Sequence, residues 1–419
     1  MSLAISRRAA LAASAGTMLF PGTDLRAQGA NPITIGCGLS LTGALASTAK
    51  SVLLSAQIFV EDINAKGGVL GRPVQLIHYD DQSNPANAPR IYTKLIDVDK
   101  VDLVVTSGTN LTTPAMPVVM ERNRLLMATL ALAVNDKFKY PRFFQTMPYG
   151  PHGAEAISAG FFNAAMGIDP KPKTVALVGA DAEFSKTAVS GARDQVKKHG
   201  LKIVYDRTYP PPTVDFGPII RGIAASSPDI VYIGSYPIDT AGMIRSAREL
   251  GFKPQMFGGG MVGTQVGGIK ADLGEALNDV VSYELYVPAM ADKLPLVEPM
   301  LKRYQPRAAE AGVDQLGFYV PPQIYATFEI LAQAVQGTGG TDQDKLTNFI
   351  RATTFKTLYG DMAFGPDGEW REPRMLTVQY RGLKGQGLEQ FKRPDAHVIL
   401  DPPVWKTGDL RAPFAGGKS

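Results

Sequence analysis

Hydrophobic residues after residue 30 alternate between two patterns along most of the chain. Short runs that are almost wholly apolar predict buried strands, and longer stretches with apolar residues three and four positions apart predict the helices between them. Regular alternation of strand and helix is typical of parallel sheets covered by helices on both faces. The predicted strands lie at residues 33–39, 74–80, 103–106, 125–129, 174–178, 202–209, 230–233 and 280–286.

The predicted helices separate these strands and form two blocks of about four strand–helix units each. The first block ends near residues 142–148, where an aromatic and proline-containing segment interrupts the pattern. After residue 290 the chain continues with a few helices, then with short strands around a turn at 365–368 and a strand at 375–380. The predicted helices lie at residues 47–66, 86–97, 113–122, 153–166, 185–199, 216–226, 240–250, 295–311, 322–336 and 344–351.

The length of 419 residues predicts more than one domain, because a single core rarely grows beyond ~250–300 residues. We expect two α/β lobes, each a parallel sheet flanked by helices. The first lobe is predicted to contain residues 31–145 and 286–355, and the second to contain residues 146–285 and 356–400. Residues 401–419 are rich in proline and glycine and are predicted to form a tail on the surface.

The composition is that of an ordinary globular protein, with 45% hydrophobic and 20% charged residues. The net charge of +4 falls to +2 without the three arginines and one aspartate of residues 1–28. A nearly balanced chain without a basic run gives no indication of binding to nucleic acid or to a membrane surface. The single cysteine excludes an internal disulfide bond.

The first 28 residues have the three parts of an export signal. Arg7 and Arg8 precede an alanine-rich apolar stretch at 9–20, a proline–glycine break follows, and small residues end at Ala27. The arginine pair is similar to a twin-arginine signal, although Ala10 stands where phenylalanine is usual, so the general secretory route stays open. The apolar stretch is shorter than the ~20 residues of a membrane span. We expect export to the periplasm and cleavage near Ala27.

Short motifs for other functions stand in unfavourable contexts. Residues 258–263 fit the dinucleotide pattern G-x-G-x-x-G, but they do not follow the first strand, and a glycine pair interrupts the helix that should follow. Ser47 and Lys50 fit the S-x-x-K pattern of penicillin-interacting serine enzymes, while the accompanying K-T-G lies in the tail. The four histidines share no metal-ligand spacing. We therefore predict no catalytic residue, metal or cofactor, and no enzyme.

Several segments in a fixed order resemble one family. Residues 60–81, which form a helix end, a glycine turn and a strand, closely resemble the sequence that follows the first helix in leucine/isoleucine/valine-binding proteins. Residues 35–43 resemble the first strand and its ligand loop, and residues 142–144 resemble the first crossover between lobes. Residues 230–234 and 247–251 resemble the ligand strand and helix of the second lobe. The chain is thus identified as resembling the branched-chain amino acid class of periplasmic substrate-binding proteins of ABC transporters.

The resemblance implies a type I periplasmic binding fold, in which two Rossmann-like lobes are joined by three crossovers. Such a protein captures a small molecule in the cleft, closes around it on a hinge, and delivers it to the membrane permease of an ABC transporter. We expect a monomer in the periplasm with no nucleic acid partner. The alternatives are a ligand-sensing receptor domain of the same fold and the serine enzyme described above.

The family places the ligand carboxylate at a hydroxyl and main-chain N–H groups after the third strand. Thr109 aligns with the hydroxyl, Asn110 is its neighbour, and a helix begins at once, so its dipole favours an anion. The next family loop supplies a carbonyl and a threonine hydroxyl. Ala131 keeps the main-chain carbonyl, whereas Ala133 has lost the hydroxyl.

Further positions carried over from the family lie at the cleft and in the second lobe. Tyr236 aligns with a tyrosine that touches the polar head of the ligand, and Phe184 aligns with an aromatic wall. Thr48 replaces an aromatic residue at the mouth of the cleft. Gly260 stands where the family has an acid that pairs with the ligand ammonium. Independently of the family, Tyr319 is placed either at the cleft or in the core.

The missing acid leaves two interpretations of the ligand. Asp239, Asp181 or Glu183 could replace it from nearby loops, so that an amino acid is still bound. Alternatively the ligand is a carboxylate, amide or urea-like solute without an ammonium group. We favour the second interpretation, because a buried ammonium without a carboxylate costs several kcal/mol. Alternatively, Asp239 serves as the N-cap of the helix that follows it.

Overall fold

The computed structural model describes residues 31–414. The predicted leader at 1–28 and the last five residues of the predicted tail therefore lie outside the described residues. Within residues 31–414, no helix has both the length and the apolar character needed to cross a membrane.

The first sheet consists of five parallel strands in the order β2-β1-β3-β4-β5. Four of its strands are almost wholly buried runs, as expected for a sheet with helices on both faces, while the edge strand at residues 74–80 is mostly half-buried. The elements are β1 (Ile33–Leu39), α1 (Ala46–Ala65), β2 (Val74–Asp80), α2 (Ala88–Thr93), β3 (Leu103–Ser107), α3 (Thr109–Glu121), β4 (Leu126–Thr129), α4 (Val134–Phe138) and β5 (Phe143–Gln145).

The second sheet repeats this topology and adds two strands. Its parallel part has the order β10-β9-β8-β6-β7, which is the order of the first sheet read from the other end. The elements are α5 (Gly153–Ala165), β6 (Thr174–Ala180), α6 (Glu183–His199), β7 (Lys202–Tyr209), α7 (Gly217–Ala225), β8 (Ile230–Ser235), α8 (Pro237–Glu249), β9 (Met256–Met261), α9 (Gly267–Leu273) and β10 (Val280–Glu284).

The C-terminal third returns to the first lobe and then to the second. Helices α10 (Val297–Ala311) and α11 (Pro321–Thr338) pack against α1, and α12 (Gln343–Ala352) packs against α11. The antiparallel hairpin of β11 (Phe355–Thr357) and β12 (Gly360–Met362) follows, and β13 (Leu376–Tyr380) and β14 (His397–Asp401) then extend the second sheet beside β10. The chain thus crosses between the lobes after β5, after β10 and after β12. The predicted α/β class, two Rossmann-like lobes and three crossovers are confirmed.

Two parts of the chain lie differently from the predicted lobe bounds. The hairpin β11–β12 packs against α11, beside the first sheet, although residues after 355 were assigned to the second lobe. Phe414, in the predicted surface tail, is fully buried and stacks on Phe257 of the second sheet with 4.9 Å between ring centroids. Aromatic and aliphatic side chains in these segments are buried, but the pattern of apolar residues along the chain does not show which lobe they pack against.

The glycines at 258–260 form part of strand β9, which the sequence pattern missed. Gly258 has φ +151°, and a Cβ atom there would lie 1.7 Å from the carbonyl oxygen of Val281 on β10. Glycine is required because the neighbouring backbone comes too close for any side chain. The glycines therefore do not form a phosphate-binding loop after a strand, and the dinucleotide motif is excluded as a nucleotide site.

The contact between α5 and α6 gives a test of the second lobe's packing. A Cβ atom on Gly191 of α6 would lie 1.6 Å from the carbonyl oxygen of Ala154 on α5. We predict that Gly191→Ala lowers the free energy of unfolding by about 3 kcal/mol, because the backbones must separate. Gly268→Ala is the control, since a Cβ on this α9 glycine meets nothing within 4 Å. Urea unfolding of both variants measures the difference, and equal midpoints would contradict this packing.

Candidate functional site

A cavity of about 80 Å³ lies between the two lobes, where the carboxyl ends of both parallel sheets face each other. This is the position at which open α/β sheets bind ligands. The first lobe contributes the end of β1, the start of α1, the segment 107–111 and Leu130. The second lobe contributes Phe184, Tyr236 and Val262, and Tyr149 and Tyr319 complete the wall. The volume suits a small molecule.

The structure brings six of the nine predicted site residues together. The side chains or main chain of these residues line the cavity, with Thr48, Thr109 and Asn110 on the first sheet's side and Phe184 and Tyr236 on the second's. Tyr319, which the sequence placed either at the cleft or in the core, lines the cavity and is buried. Ala131, Ala133 and Gly260 do not line the cavity.

Ala131 and Ala133 lie behind the cavity wall. Ala131 is fully buried, and its carbonyl oxygen accepts a hydrogen bond of 2.7 Å from Nε2 of Gln145. Ala133 has the left-handed backbone that precedes α4, with φ +53°. Leu130 is the residue of this loop that reaches the cavity. The expected main-chain contact from Ala131 is therefore replaced by an internal hydrogen bond that sequence cannot show.

Gly260 lies inside β9, one residue before the strand ends. It pairs with Gly234 of β8, and a Cβ atom there would meet the hydroxyl of Tyr232 at 3.1 Å. Only residues beyond the end of the strand reach the cleft, and the first of these to line the cavity is Val262. The second-lobe wall at this position is therefore a valine, and Gly260, which we expected at the site, does not line the cavity.

Asn110 connects the two lobes across the cavity. Its Oδ1 atom accepts a hydrogen bond from the hydroxyl of Tyr236 (3.0 Å) and another from the backbone N–H of Phe184 (3.2 Å). Burial raises the pKa of Tyr236 to about 12, while the Asn110 hydrogen bond opposes that shift. The phenol therefore stays protonated and can donate at neutral pH. The structure is closed, with Asn110 as a latch between α3 and the N-termini of α6 and α8.

The hydroxyl of Thr109 is used within the first lobe. It donates to the carbonyl of Leu130 (3.1 Å) and accepts from the N–H of Leu132 (3.0 Å). Because a hydroxyl has one proton, this group cannot also donate to a ligand carboxylate. Thr109 fixes the loop after β4, and what it presents to the cavity is its main chain.

The N-terminus of α3 presents free hydrogen-bond donors at the cavity. The N–H groups of Thr109 and Asn110 open a helix of 13 residues and have no intrahelical acceptor. Ser107, at the end of β3, lines the cavity while only 8% exposed. Within residues 31–414 its hydroxyl has no hydrogen-bond partner. These donors and the helix dipole together suit an anion.

No acidic or basic side chain is among the described residues that line the cavity. Asp239 lies at the first turn of α8 rather than at its N-cap, which is Tyr236, and accepts a hydrogen bond of 2.8 Å from the hydroxyl of Tyr209. Burial raises the pKa of Asp239, and that hydrogen bond opposes the shift. Asp181 pairs with Lys186 at 2.5 Å, and Glu183 is exposed. None of the three proposed substitutes for the missing acid reaches the cavity.

The motif of the serine enzymes does not form a site in the structure. Ser47 lies inside the first turn of α1, and Lys406 follows β14 in the second lobe, where it pairs with Asp409 at 2.7 Å. The two halves of the motif are therefore on different lobes. Among the described residues, no group of three or more histidine, cysteine or acidic side chains is arranged to hold a metal.

Tyr149 and Val262 are cavity residues that the sequence did not identify. Tyr149 follows β5 in the first crossover, and Val262 follows β9. The only sequence signal for Tyr149 is an aromatic residue between a proline and a glycine at the junction of the two blocks. Val262 occupies a variable position of the glycine motif at 258–263, so the sequence offers no reason to assign it to the site.

The chain is similar to proteins of known class over most of its length. A family model described as "Periplasmic binding protein" matches residues 32–384. The "Leucine-, isoleucine-, valine-, threonine-, and alanine-binding protein" of Pseudomonas aeruginosa is 23% identical over 354 residues, which is 84% of this chain and 91% of that protein.

Two solved structures show the same fold. A putative branched-chain amino acid ABC transporter protein from Silicibacter pomeroyi superposes with a TM-score of 0.73 at 20% identity, covering 92% of this chain and all of that one. A solute-binding protein of an ABC transporter from R. palustris, in complex with benzoate, superposes with a TM-score of 0.70 at 18% identity, covering 89% and 98%. The predicted resemblance and the type I periplasmic binding fold are confirmed.

The Asn110 latch gives a test of how the closed state is held. We predict that Asn110→Ala shifts the protein towards an open form, because it removes two hydrogen bonds together worth about 1–3 kcal/mol. The measurement is the distance between spin labels placed on the two lobes, under identical conditions for all variants. Asn163→Ala is the control, since the side chain of this second-lobe asparagine donates a hydrogen bond to Asp401 of its own lobe (3.4 Å). A distance distribution unchanged by Asn110→Ala would exclude the latch.

Proposed function

Because the chain belongs to the periplasmic binding protein family, we propose that it captures a small carboxylate without an ammonium group for an ABC uptake transporter. The family consists of solute-binding proteins and is not an enzyme family. The observation that supports this ligand class is a cavity with free hydrogen-bond donors at one helix end and no charged side chain in its described lining.

The carboxylate of the ligand would lie at the N-terminus of α3. The N–H groups of Thr109 and Asn110 and the hydroxyl of Ser107 would donate to its oxygens. Hydrogen bonds to charged groups are worth roughly 1.5–3 kcal/mol each, and the helix end contributes about half a positive charge. Neutral hydrogen-bond donors would thus stabilise the ligand carboxylate without a basic side chain.

An ammonium group has no comparable partner. Desolvating an ion costs several kcal/mol unless an opposite charge and hydrogen bonds offset that cost. Val262 forms the second-lobe wall near the place where the family has an acid, and Asp239 is already bonded to Tyr209. The Pseudomonas aeruginosa relative is named for amino acids, whereas the R. palustris protein holds benzoate. The cavity of this chain favours a ligand of the second kind.

The rest of the cavity suits an apolar ligand body. Phe184 and Tyr236 pack edge to face, with 6.0 Å between centroids, and form the second-lobe side together with Val262. Leu111 and Leu130 lie on the first-lobe side. An aromatic ring or a branched aliphatic chain would bury its surface here and contribute about 25 cal/mol per Å².

The transport cycle completes the proposal. The protein would be exported, lose its leader near Ala27 and act as a periplasmic monomer. Ligand binding would stabilise the closed form that Asn110 latches, and the membrane permease of the transporter would recognise that form. A separate receptor role is not favoured, because the relatives are transport proteins.

A ligand screen tests the proposed class. The chain from residue 28 onwards is heated with amino acids, aromatic and aliphatic carboxylates, amides and urea. A ligand that binds only the folded state stabilises it by about 4 kcal/mol at a thousandfold excess over Kd. We predict a raised Tm with carboxylates that lack an ammonium group and none with leucine, isoleucine or valine. A shift confined to the amino acids would show that the proposed class is wrong.

Ser107 gives a test of the carboxylate position. We predict that Ser107→Ala weakens binding of an acid found in that screen by about 10–100-fold, because one hydrogen bond to a charged group is lost. Thr129→Val is the matched control, since Thr129 pairs with Ser107 in the sheet and has an unpartnered buried hydroxyl that does not line the cavity. Calorimetry measures both affinities. Equal affinities of the two variants would remove Ser107 from the site.

A further inference from the structure

The hydroxyl of Tyr149 has no hydrogen-bond partner among residues 31–414. Tyr149 is 1% exposed and lines the cavity. Its backbone N–H donates to the carbonyl of Met147 at 2.8 Å, but within residues 31–414 its hydroxyl has neither a donor nor an acceptor. Because Tyr149 lines the cavity, this unpaired hydroxyl is free to bond a ligand held there.

The other two tyrosines of the cavity are already paired. The hydroxyl of Tyr236 donates to Asn110, and that of Tyr319 lies 3.0 Å from the hydroxyl of Tyr283. Both pairs are made between protein groups and fix the positions of the rings. Tyr149 therefore differs from them in presenting its hydroxyl to whatever fills the cavity.

Tyr149 lies apart from the proposed carboxylate position. Ser107 ends β3, and Tyr149 follows β5, which is two strands further along the sheet. Neighbouring strands are ~4.8 Å apart, so the main chains of β3 and β5 are separated by roughly 10 Å, and Tyr149 lies four residues beyond the end of β5. One small ligand can thus meet donors at α3 with its carboxylate and meet Tyr149 with a different atom.

We propose that the hydroxyl of Tyr149 hydrogen-bonds a second, uncharged oxygen of the ligand, remote from its carboxylate. This inference rests on the proposed function and makes it narrower: the preferred solutes are acids that also carry a hydroxyl or carbonyl oxygen. Tyr149 is then a specificity-determining residue that belongs to the first crossover rather than to either sheet.

The chemistry of Tyr149 suits this role. Burial raises the pKa of Tyr149 well above its ordinary value, and the nearby Tyr319 and Glu369 act in the same direction. The group therefore remains an uncharged O–H that can donate to a carbonyl oxygen, or both donate to and accept from a hydroxyl. It does not repel the ligand carboxylate as a phenolate would.

The test compares acids that differ by one oxygen. Benzoate is compared with each of the three monohydroxybenzoates, and pentanoate with 4-oxopentanoate, by calorimetry on the wild-type chain and on Tyr149→Phe. We predict that the wild type binds an oxygenated acid about tenfold or more tightly than its parent, and that Tyr149→Phe reduces this ratio to near one while binding of the parent acid is retained.

Tyr232→Phe is the matched control. It removes the hydroxyl of a fully buried tyrosine that does not line the cavity, so it should keep the wild-type ratio. A thermal unfolding curve for each variant separates a lost preference from a lost fold.

The outcomes distinguish this inference from the function on which it rests. An oxygen preference that persists in Tyr149→Phe, or a wild type that binds the parent acids at least as tightly, overturns the inference and leaves the proposed carboxylate class intact. If none of these acids binds the wild type, the proposed class is itself wrong, and the inference is wrong with it.

Discussion

A charge enclosed between two closed lobes must be paired, and this constraint determines what the cleft can hold. Removing an ion from water costs several kcal/mol unless the protein supplies opposite charge or well-placed hydrogen bonds. The described lining of this cavity has no carboxylate and no basic side chain, and the N-terminus of α3 opens onto it. A carboxylate can be stabilised there, whereas an ammonium has only hydroxyls and aromatic rings to face. The preference for a ligand without an ammonium group follows from this difference.

The fold provides that environment through its topology. Two parallel sheets with the same strand order place their carboxyl ends, and the helix N-termini that follow, on opposite sides of one cleft. The first lobe fixes its own loops, as Thr109 does with Leu130 and Leu132. Asn110 then joins the lobes through Tyr236 and Phe184. These contacts pair the polar side chains of Thr109, Asn110 and Tyr236 with other protein groups. The hydroxyls of Ser107 and Tyr149 take no part in them and remain available to a ligand.

Sequence reasoning predicted the alternation of strands and helices, because buried parallel strands and amphipathic helices have distinct periods. It missed β9, whose glycines fit a dinucleotide motif that the context did not support; in the structure they lie where neighbouring backbone comes too close for side chains. At the site, positions on the α3 loop were placed at the cavity, but Gly260 was chosen where Val262 faces it. The partners that occupy Thr109 and Ala131 come from distant segments, so no local pattern could reveal them.

The most direct measurement is the difference in binding free energy between two ligands that differ only in the amino group. Leucine and 4-methylpentanoate have the same carboxylate and the same branched chain, and phenylalanine and 3-phenylpropanoate form an aromatic pair. Calorimetric titration of the chain from residue 28 onwards would give the sign of the difference for each pair. We predict that the acid without the ammonium binds more tightly. Tighter binding of the amino acid in either pair would contradict this prediction, because an enclosed ammonium would then have a partner in this cleft.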